Sequence, residues 1–207
     1  MNTKRNLSYP DNPIPAGIPE DIRRIVILDR DGVINHDSED YIKSVDEMSP
    51  IKGSIAAMAE LYQAGFTIYV ATNQSGIGRG LFSLEDLDAI HAMLIKLVEE
   101  KGGAIAGIYY CPHRPEDHCD CRKPKPGLLK QIERHLGHSL AGVPIIGDSM
   151  RDLEAGRACG CIPILVKTGV GMRTLNELKR EQHPLLQDLR VFDSLADAAK
   201  SLLNDRL

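Results

Sequence analysis

Short apolar runs alternate with longer amphipathic stretches along most of the chain. Runs rich in β-branched residues at 25–28, 67–71, 105–110, 143–146, 162–166 and 190–192 predict strands. Between them, apolar positions recur at helical spacing over 52–64, 84–101, 127–136, 152–159 and 195–203. Gly65, Gly102 and Gly137 fall where three of these helices should stop. Ser83 precedes Leu84 as an N-cap, with Asp86 three residues on as its capping-box partner. Strand followed by helix, repeated, predicts an α/β domain: a Rossmann-like, mostly parallel sheet with helices on both faces. Ligands of such a sheet bind beyond the carboxyl ends of its strands. The stretch 167–187 is polar and loosely patterned, and no element is assigned to it. Residues 1–24, rich in Pro, Asn and Asp, read as an N-terminal arm ahead of a single domain at 25–207.

Composition narrows the class of protein. A chain of 207 residues that is 43% hydrophobic can bury a sizeable core. A net charge of −4, with three Phe, six Tyr and no Trp, argues against a nucleic-acid surface. There is no apolar run of transmembrane length and no signal-peptide core, so a cytoplasmic protein without membrane partners is expected. The five cysteines are then expected as reduced thiols.

The candidate chemistry follows the apolar runs. VILDRDGVIN, residues 26–35, ends a buried strand in Asp29 and Asp31 and turns at Gly32. Like charges two residues apart are unfavourable unless a cation neutralises them, and Mg²⁺ suits such oxygen ligands. One aspartate is then placed to attack phosphorus and the other to handle a proton. TNQSGIGRG, residues 72–80, offers the hydroxyl of Thr72, the amide of Asn73 and backbone N–H groups to phosphate oxygens. Arg79 could reach a second anionic group. GDSMRD, residues 147–152, supplies Asp148 as a third carboxylate for the metal, while Asp152 reads as opening the next helix.

CPHRPEDHCDCRKPKPG, residues 111–127, is the densest cluster. Cys111, His113, Cys119 and Cys121 offer three thiolates and an imidazole, a set that fits closed, structural Zn²⁺. His118 is a spare candidate ligand. Cys159 and Cys161 fall at a helix–strand junction and read as small buried residues. Arg122 and Lys123 follow the zinc candidates directly. Lys123 could neutralise a transferring phosphoryl group, and Arg122 could hold a phosphate or substrate hydroxyls in a fork.

Together these motifs resemble the haloacid-dehalogenase superfamily of phosphatases, across residues of about 25–170 and with four motifs in the expected order. Within it the chain is similar to a sugar-bisphosphate phosphatase branch, with histidinol-phosphate phosphatases as the alternative. The resemblance implies a Rossmann-like fold with a minimal cap and a monomer acting on a small phosphorylated sugar. It implies Asp29 as nucleophile and Asp31 as general acid, then base. It implies Mg²⁺ on Asp29, Asp31 and Asp148, with Asp31 contributing its backbone carbonyl. It places Thr72 and Lys123 on the phosphate, and Asn73, Gln74, Ser75 and Arg122 on the substrate. It matches the stretch from Asp37 through Asp40 to Tyr41 with a substrate-lining segment. It matches Cys111, His113, Cys119 and Cys121 with structural zinc ligands. A zinc-pinned nucleic-acid-binding module is the reading from another class, disfavoured by the acidic charge and the intact aspartate set.

Overall fold

A computed structural model describes residues 24–204. Six parallel strands form one sheet: β1 (Ile25–Leu28), β2 (Thr67–Asn73), β3 (Gly107–Cys111), β4 (Pro144–Gly147), β5 (Ile162–Val166) and β6 (Arg190–Phe192). Their order is β3-β2-β1-β4-β5-β6. The chain therefore builds outwards from β1 in one direction, returns, and builds outwards from β4 in the other. The crevice where the direction reverses, at the carboxyl ends of β1 and β4, is where such sheets bind ligands.

Strand periodicity decides what each face buries. In β1, Val26 and Leu28 point to one side and Ile25 and Ile27 to the other, because successive side chains alternate across a sheet. On the Val26 side the sheet packs against α1 (Ser54–Gln63), α3 (Leu84–Glu99) and α7 (Leu195–Asn204) through Met58, Leu61, Leu94, Val98 and Leu202. On the Ile25 side lie α4 (Gly127–Leu136) and α5 (Met150–Ala158), which contribute Leu128, Leu129, Ile132, Leu136 and Ala155. Burial on both faces explains why β1 reads as an unbroken apolar run rather than an alternating one. A fully buried aliphatic side chain stabilises by about 1.5–3 kcal/mol relative to an exposed one. These two layers hold β1 rigidly beneath whatever follows it.

Two α-helices were not expected from the pattern. The TNQSGIGRG loop contains a four-residue helix, α2 (Ser75–Gly78). The loosely patterned stretch contains α6 (Gly171–Arg180), whose buried stripe is Gly171, Thr174, Leu175 and Leu178. Only two of those four are strongly apolar, so the stripe is faint in the sequence. A short 3-10 turn, Pro184–Gln187, follows it. Strand β2 runs two residues beyond the expected 67–71, which carries Thr72 and Asn73 in register beside Tyr110 and Cys111 of β3. The capping box at Ser83 and Asp86 forms as expected. The arm expected at residues 1–24 lies, but for Arg24, outside the described residues. No described helix is long and apolar enough to cross a membrane.

Candidate active site

The crevice is built at the carboxyl ends of four strands. Asp29 follows β1, and its backbone N–H donates to the Ile146 carbonyl at 2.9 Å, pinning it between β1 and β4. Asp148 follows β4, Thr72 is the penultimate residue of β2, and Cys111 ends β3. Oxygens of Asp29, Asp148 and Asp152 lie within 4.8 Å of one another. Asp29 is the most open of the three, with 14% of its side chain exposed.

Lys123 is buried at the centre of this group. Its ammonium donates to the Ala71 carbonyl at 2.6 Å and forms ion pairs with Asp29 Oδ1 at 3.0 Å and Asp152 Oδ1 at 2.5 Å. Burial alone would drive its proton off, but the charges of Asp152 and Asp29 outweigh that and raise its pKa. Asp152 is drawn below the usual carboxylate range: burial opposes this, but Lys123 and hydrogen bonds from Ser149 prevail. Lys123 and Asp152 thus form a closed ion pair. Asp29 is left with an excess of negative charge around it. Burial and then Asp152 raise its pKa well above normal, against the pull of Lys123. Asp148 is likewise pushed up to about 7 by burial and by Asp152. Two buried carboxylates disfavoured as anions, side by side and facing one opening, are a donor set suited to a hard divalent cation.

The remaining oxygens have defined tasks. Asp148 Oδ2 accepts from the Val170 N–H at 2.8 Å, and the Asp148 carbonyl accepts from Thr174 Oγ1 at 2.8 Å. Thr168 Oγ1 donates to the Gly32 carbonyl at 2.6 Å. The loop after β5 therefore straps the aspartate turn from outside. The Asp31 carboxylate lies in a fork from the buried Arg30, with Nε to Oδ1 at 3.0 Å and Nη2 to Oδ2 at 2.8 Å. Gln74 Nε2 donates both to Asp31 Oδ2 and to Thr72 Oγ1, each at 2.9 Å. With its carboxylate so engaged, Asp31 would serve a metal through its backbone.

The expected substrate residues divide into two groups. Thr72, Gln74, Ser75 and Lys123 are buried, Gln74 bonding Asp31 and Thr72 and Lys123 pairing with Asp29. Asn73 does not face the opening with its amide: it exchanges two hydrogen bonds with the Lys123 backbone. Asp37, Asp40 and Tyr41 line an open cleft of about 380 Å³ with His36, Ile42 and Lys43. Asp37 belongs electrically to the crevice. Burial raises its pKa, and the charges of Asp31, Arg151 and Arg30 reach it. Arg122 donates to the His113 carbonyl at 3.3 Å. Arg79 lies 3.8 Å from the exposed Glu116.

The four zinc candidates converge. Cys111 Sγ lies 3.6 Å from Cys119 Sγ, 3.3 Å from Cys121 Sγ and 3.6 Å from His113 Nδ1. Cys121 Sγ is 3.2 Å from His113 Nδ1 and 3.5 Å from Cys119 Sγ. Tetrahedral zinc with Zn–S bonds of about 2.3 Å spaces its sulfurs by about 3.7 Å. The cluster is close to that size. Cys121 is pulled down to about 5 by hydrogen bonds, the largest from Cys111, so it is ready to ligate as a thiolate. His118 stands outside the cluster, its carbonyl accepting from Lys125 Nζ at 3.0 Å. Cys161 is buried in the core as a small apolar group, whereas Cys159 is half-buried and packs against it.

Sequence reading missed three contributors. Asp152 does cap α5, since Ser149 donates to its Oδ2 from N–H and hydroxyl at 3.0 and 2.6 Å. Its other oxygen holds Lys123, and a second carboxylate four residues after Asp148 was the available signal. Arg30 was passed over because it stands between two more conspicuous residues. His91 sits on the buried stripe of α3 among Leu87, Ile90 and Leu94, where a polar residue is unexpected.

Fold and site together define a hydrolase of the HAD-like class, and comparisons with known proteins agree. The HAD-hydrolase-like family model matches residues 120–198. The D-glycero-beta-D-manno-heptose-1,7-bisphosphate 7-phosphatase of Pseudomonas aeruginosa is 56% identical over 87% of this chain and 98% of its own length. The protein of the same name from Neisseria meningitidis serogroup B is 46% identical over 88% of this chain and 96% of its own length. A crystal structure of D,D-heptose 1,7-bisphosphate phosphatase from Bordetella bronchiseptica, complexed with magnesium and phosphate, is 46% identical and has a TM-score of 0.82. That match covers 87% of this chain and 98% of the other. The chain therefore belongs to the family of heptose-1,7-bisphosphate 7-phosphatases.

Proposed function

We propose that this enzyme removes the 7-phosphate of D-glycero-beta-D-manno-heptose 1,7-bisphosphate, forming an aspartyl-phosphate on Asp29. The observation that carries the reading is the pairing of Asp29 Oδ1 with Lys123 Nζ at 3.0 Å, with the Asp29 side chain still 14% exposed. There a carboxylate oxygen and a fixed positive charge face the same incoming phosphoryl group.

Asp29 attacks phosphorus in line while the P–O bond to C7 of the sugar breaks. Asp31 gives its proton to the departing oxygen, then takes one from the water that hydrolyses the aspartyl-phosphate. Lys123 and the Thr72 hydroxyl hold the equatorial oxygens. Asp29, Asp148 and the Asp31 backbone would hold Mg²⁺, which supplies positive charge against the phosphoryl oxygens. Asp37, Asp40, Tyr41, Ser75 and Arg122 face the sugar, with Arg122 suited to its second phosphate. Zinc on Cys111, His113, Cys119 and Cys121 fixes the loop that delivers Arg122 and Lys123. The magnesium and phosphate in the Bordetella bronchiseptica structure support the metal assignment.

The test is phosphate release with Mg²⁺ from both anomers of the heptose bisphosphate and from histidinol phosphate. Fast release from the beta anomer alone, lost in Asp29→Asn, is expected. Preference for histidinol phosphate would overturn the substrate. Appreciable turnover by Asp29→Asn would overturn the nucleophile.

A further inference from the structure

Arg30 stands between two candidate catalytic aspartates, yet it is 1% exposed. Its guanidinium grips both oxygens of Asp31 at 3.0 and 2.8 Å. A third N–H, on Nη1, points the opposite way and meets His91 Nε2 at 3.3 Å. Arginine can only donate, so Nε2 must be the bare, accepting nitrogen. The imidazole proton then sits on Nδ1, which is buried without a hydrogen-bond partner among the described residues. His91 is wholly buried, and burial together with the Arg30 charge holds its pKa down to about 3. It is therefore neutral, and its ring packs 5.8 Å from that of Tyr110.

This arrangement is costly as packing. Leucine at this position of the buried α3 stripe would leave the buried Arg30 Nη1 without this acceptor, whereas His91 supplies it at the cost of its own unpartnered Nδ1. What the imidazole provides is an acceptor that fixes the plane of the guanidinium. With Gln74 Nε2 on Oδ2 at 2.9 Å, three N–H donors then set the orientation of the Asp31 carboxylate.

We propose that Arg30 and His91 are positioning residues for Asp31, His91 bracing Arg30 so that Asp31 faces the leaving sugar oxygen. The proposal rests on the reading of Asp31 as general acid. A proton donor works only within hydrogen-bond reach, and small displacements are expensive. His91 touches neither substrate nor reacting atoms, and it acts only through Arg30.

The test compares kcat/KM for the heptose bisphosphate with that for p-nitrophenyl phosphate, whose leaving group departs as an anion without needing a proton. This ratio ends at P–O cleavage, so the later hydrolysis step does not enter it. His91→Phe keeps a ring but removes the acceptor; His91→Gln restores an acceptor. The phenylalanine variant should lose about tenfold or more on the bisphosphate, through kcat rather than KM. On p-nitrophenyl phosphate it should stay within about twofold of wild type. The glutamine variant should recover most of the loss, and Arg30→Lys, which cannot fork, should show the same selective pattern. An equal fall on both substrates, or no fall on either, overturns the proposal. Wild type inactive on the heptose but active on another alkyl phosphate would sink the substrate reading instead. The alkyl-to-aryl comparison in the variants would still decide the role of His91.

Discussion

Asn73 and Lys123 clasp each other across 50 residues of sequence: Asn73 Nδ2 donates to the Lys123 carbonyl at 3.0 Å, and the Lys123 N–H donates to Asn73 Oδ1 at 3.1 Å. One partner ends a strand of the sheet, and the other sits two residues after Cys121 in the cysteine loop. This clasp sets the height at which the Lys123 ammonium enters the crevice. Asn73→Ala should break both bonds, each worth about 0.5–1.5 kcal/mol. Steady-state kinetics should show kcat/KM down by about tenfold or more. Asn73→Asp keeps the acceptor and loses the donor, so it should fall between. An alanine variant with wild-type kinetics would show that the loop holds Lys123 without the clasp.

The same geometry would link the zinc proposed for the cysteine loop to catalysis at a distance. With a closed ligand set, the metal has no position for substrate, so its removal should act through the loop. Elemental analysis should find one zinc per chain. Chelation, or Cys119→Ser, should lower the melting temperature and reduce turnover together, and re-added zinc should restore both in the chelated protein. Loss of zinc with full turnover would separate the loop from the site.

Asp148 gives a dependence of stability on pH whose sign is fixed. Its ordinary value is 3.8, and burial with the Asp152 charge pushes it up to about 7 in the folded chain. Between those values the folded state holds a proton that the unfolded state has lost. Metal-free protein should therefore lose stability as pH rises through this window, by at most about 1.4 kcal/mol per pH unit from this group. Mg²⁺ competes with that proton and favours the anion. The rise in melting temperature on adding Mg²⁺ should be larger at pH 8 than at pH 5.5, and Asp148→Asn should flatten the difference. An equal rise at both pH values would place the cation away from Asp148.

Much of this was legible beforehand, because strand-end chemistry follows from local patterns. β1, β5 and β6 occupy the expected positions, since their apolar runs stop where polar or glycine residues begin. That Cys111, His113, Cys119 and Cys121 belong together was legible from residue type and spacing alone, and the structure brings the four side chains into one cluster. Pairings between distant segments were not. Nothing local says that the Asn73 amide faces Lys123, that Arg30 turns inward to His91, or that Asp152 both caps a helix and neutralises a lysine. Those contacts depend on the order of strands in the sheet. α6 escaped because a threonine and a glycine occupy half of its buried stripe.

The strap over the aspartate turn carries the last prediction. Gly169 has φ +56, a conformation that favours glycine, and a Cβ there would run into the Asp148 carboxylate and the Gly32 backbone. Its neighbours on either side hold the same two groups, Thr168 through the Gly32 carbonyl at 2.6 Å and Val170 through Asp148 Oδ2 at 2.8 Å. Gly169→Ala should therefore displace Asp148 and the aspartate turn at once, raising the Mg²⁺ concentration needed for half-maximal activity by about tenfold or more. Thr168→Val removes one hydrogen bond without adding bulk, so its effect should be smaller and should not alter Asp148 directly. Magnesium titrations of phosphate release separate the two, because a shift in the titration midpoint reports the metal ligands and a lower plateau reports the turn. If Gly169→Ala changed neither, the strap would not govern the metal ligands.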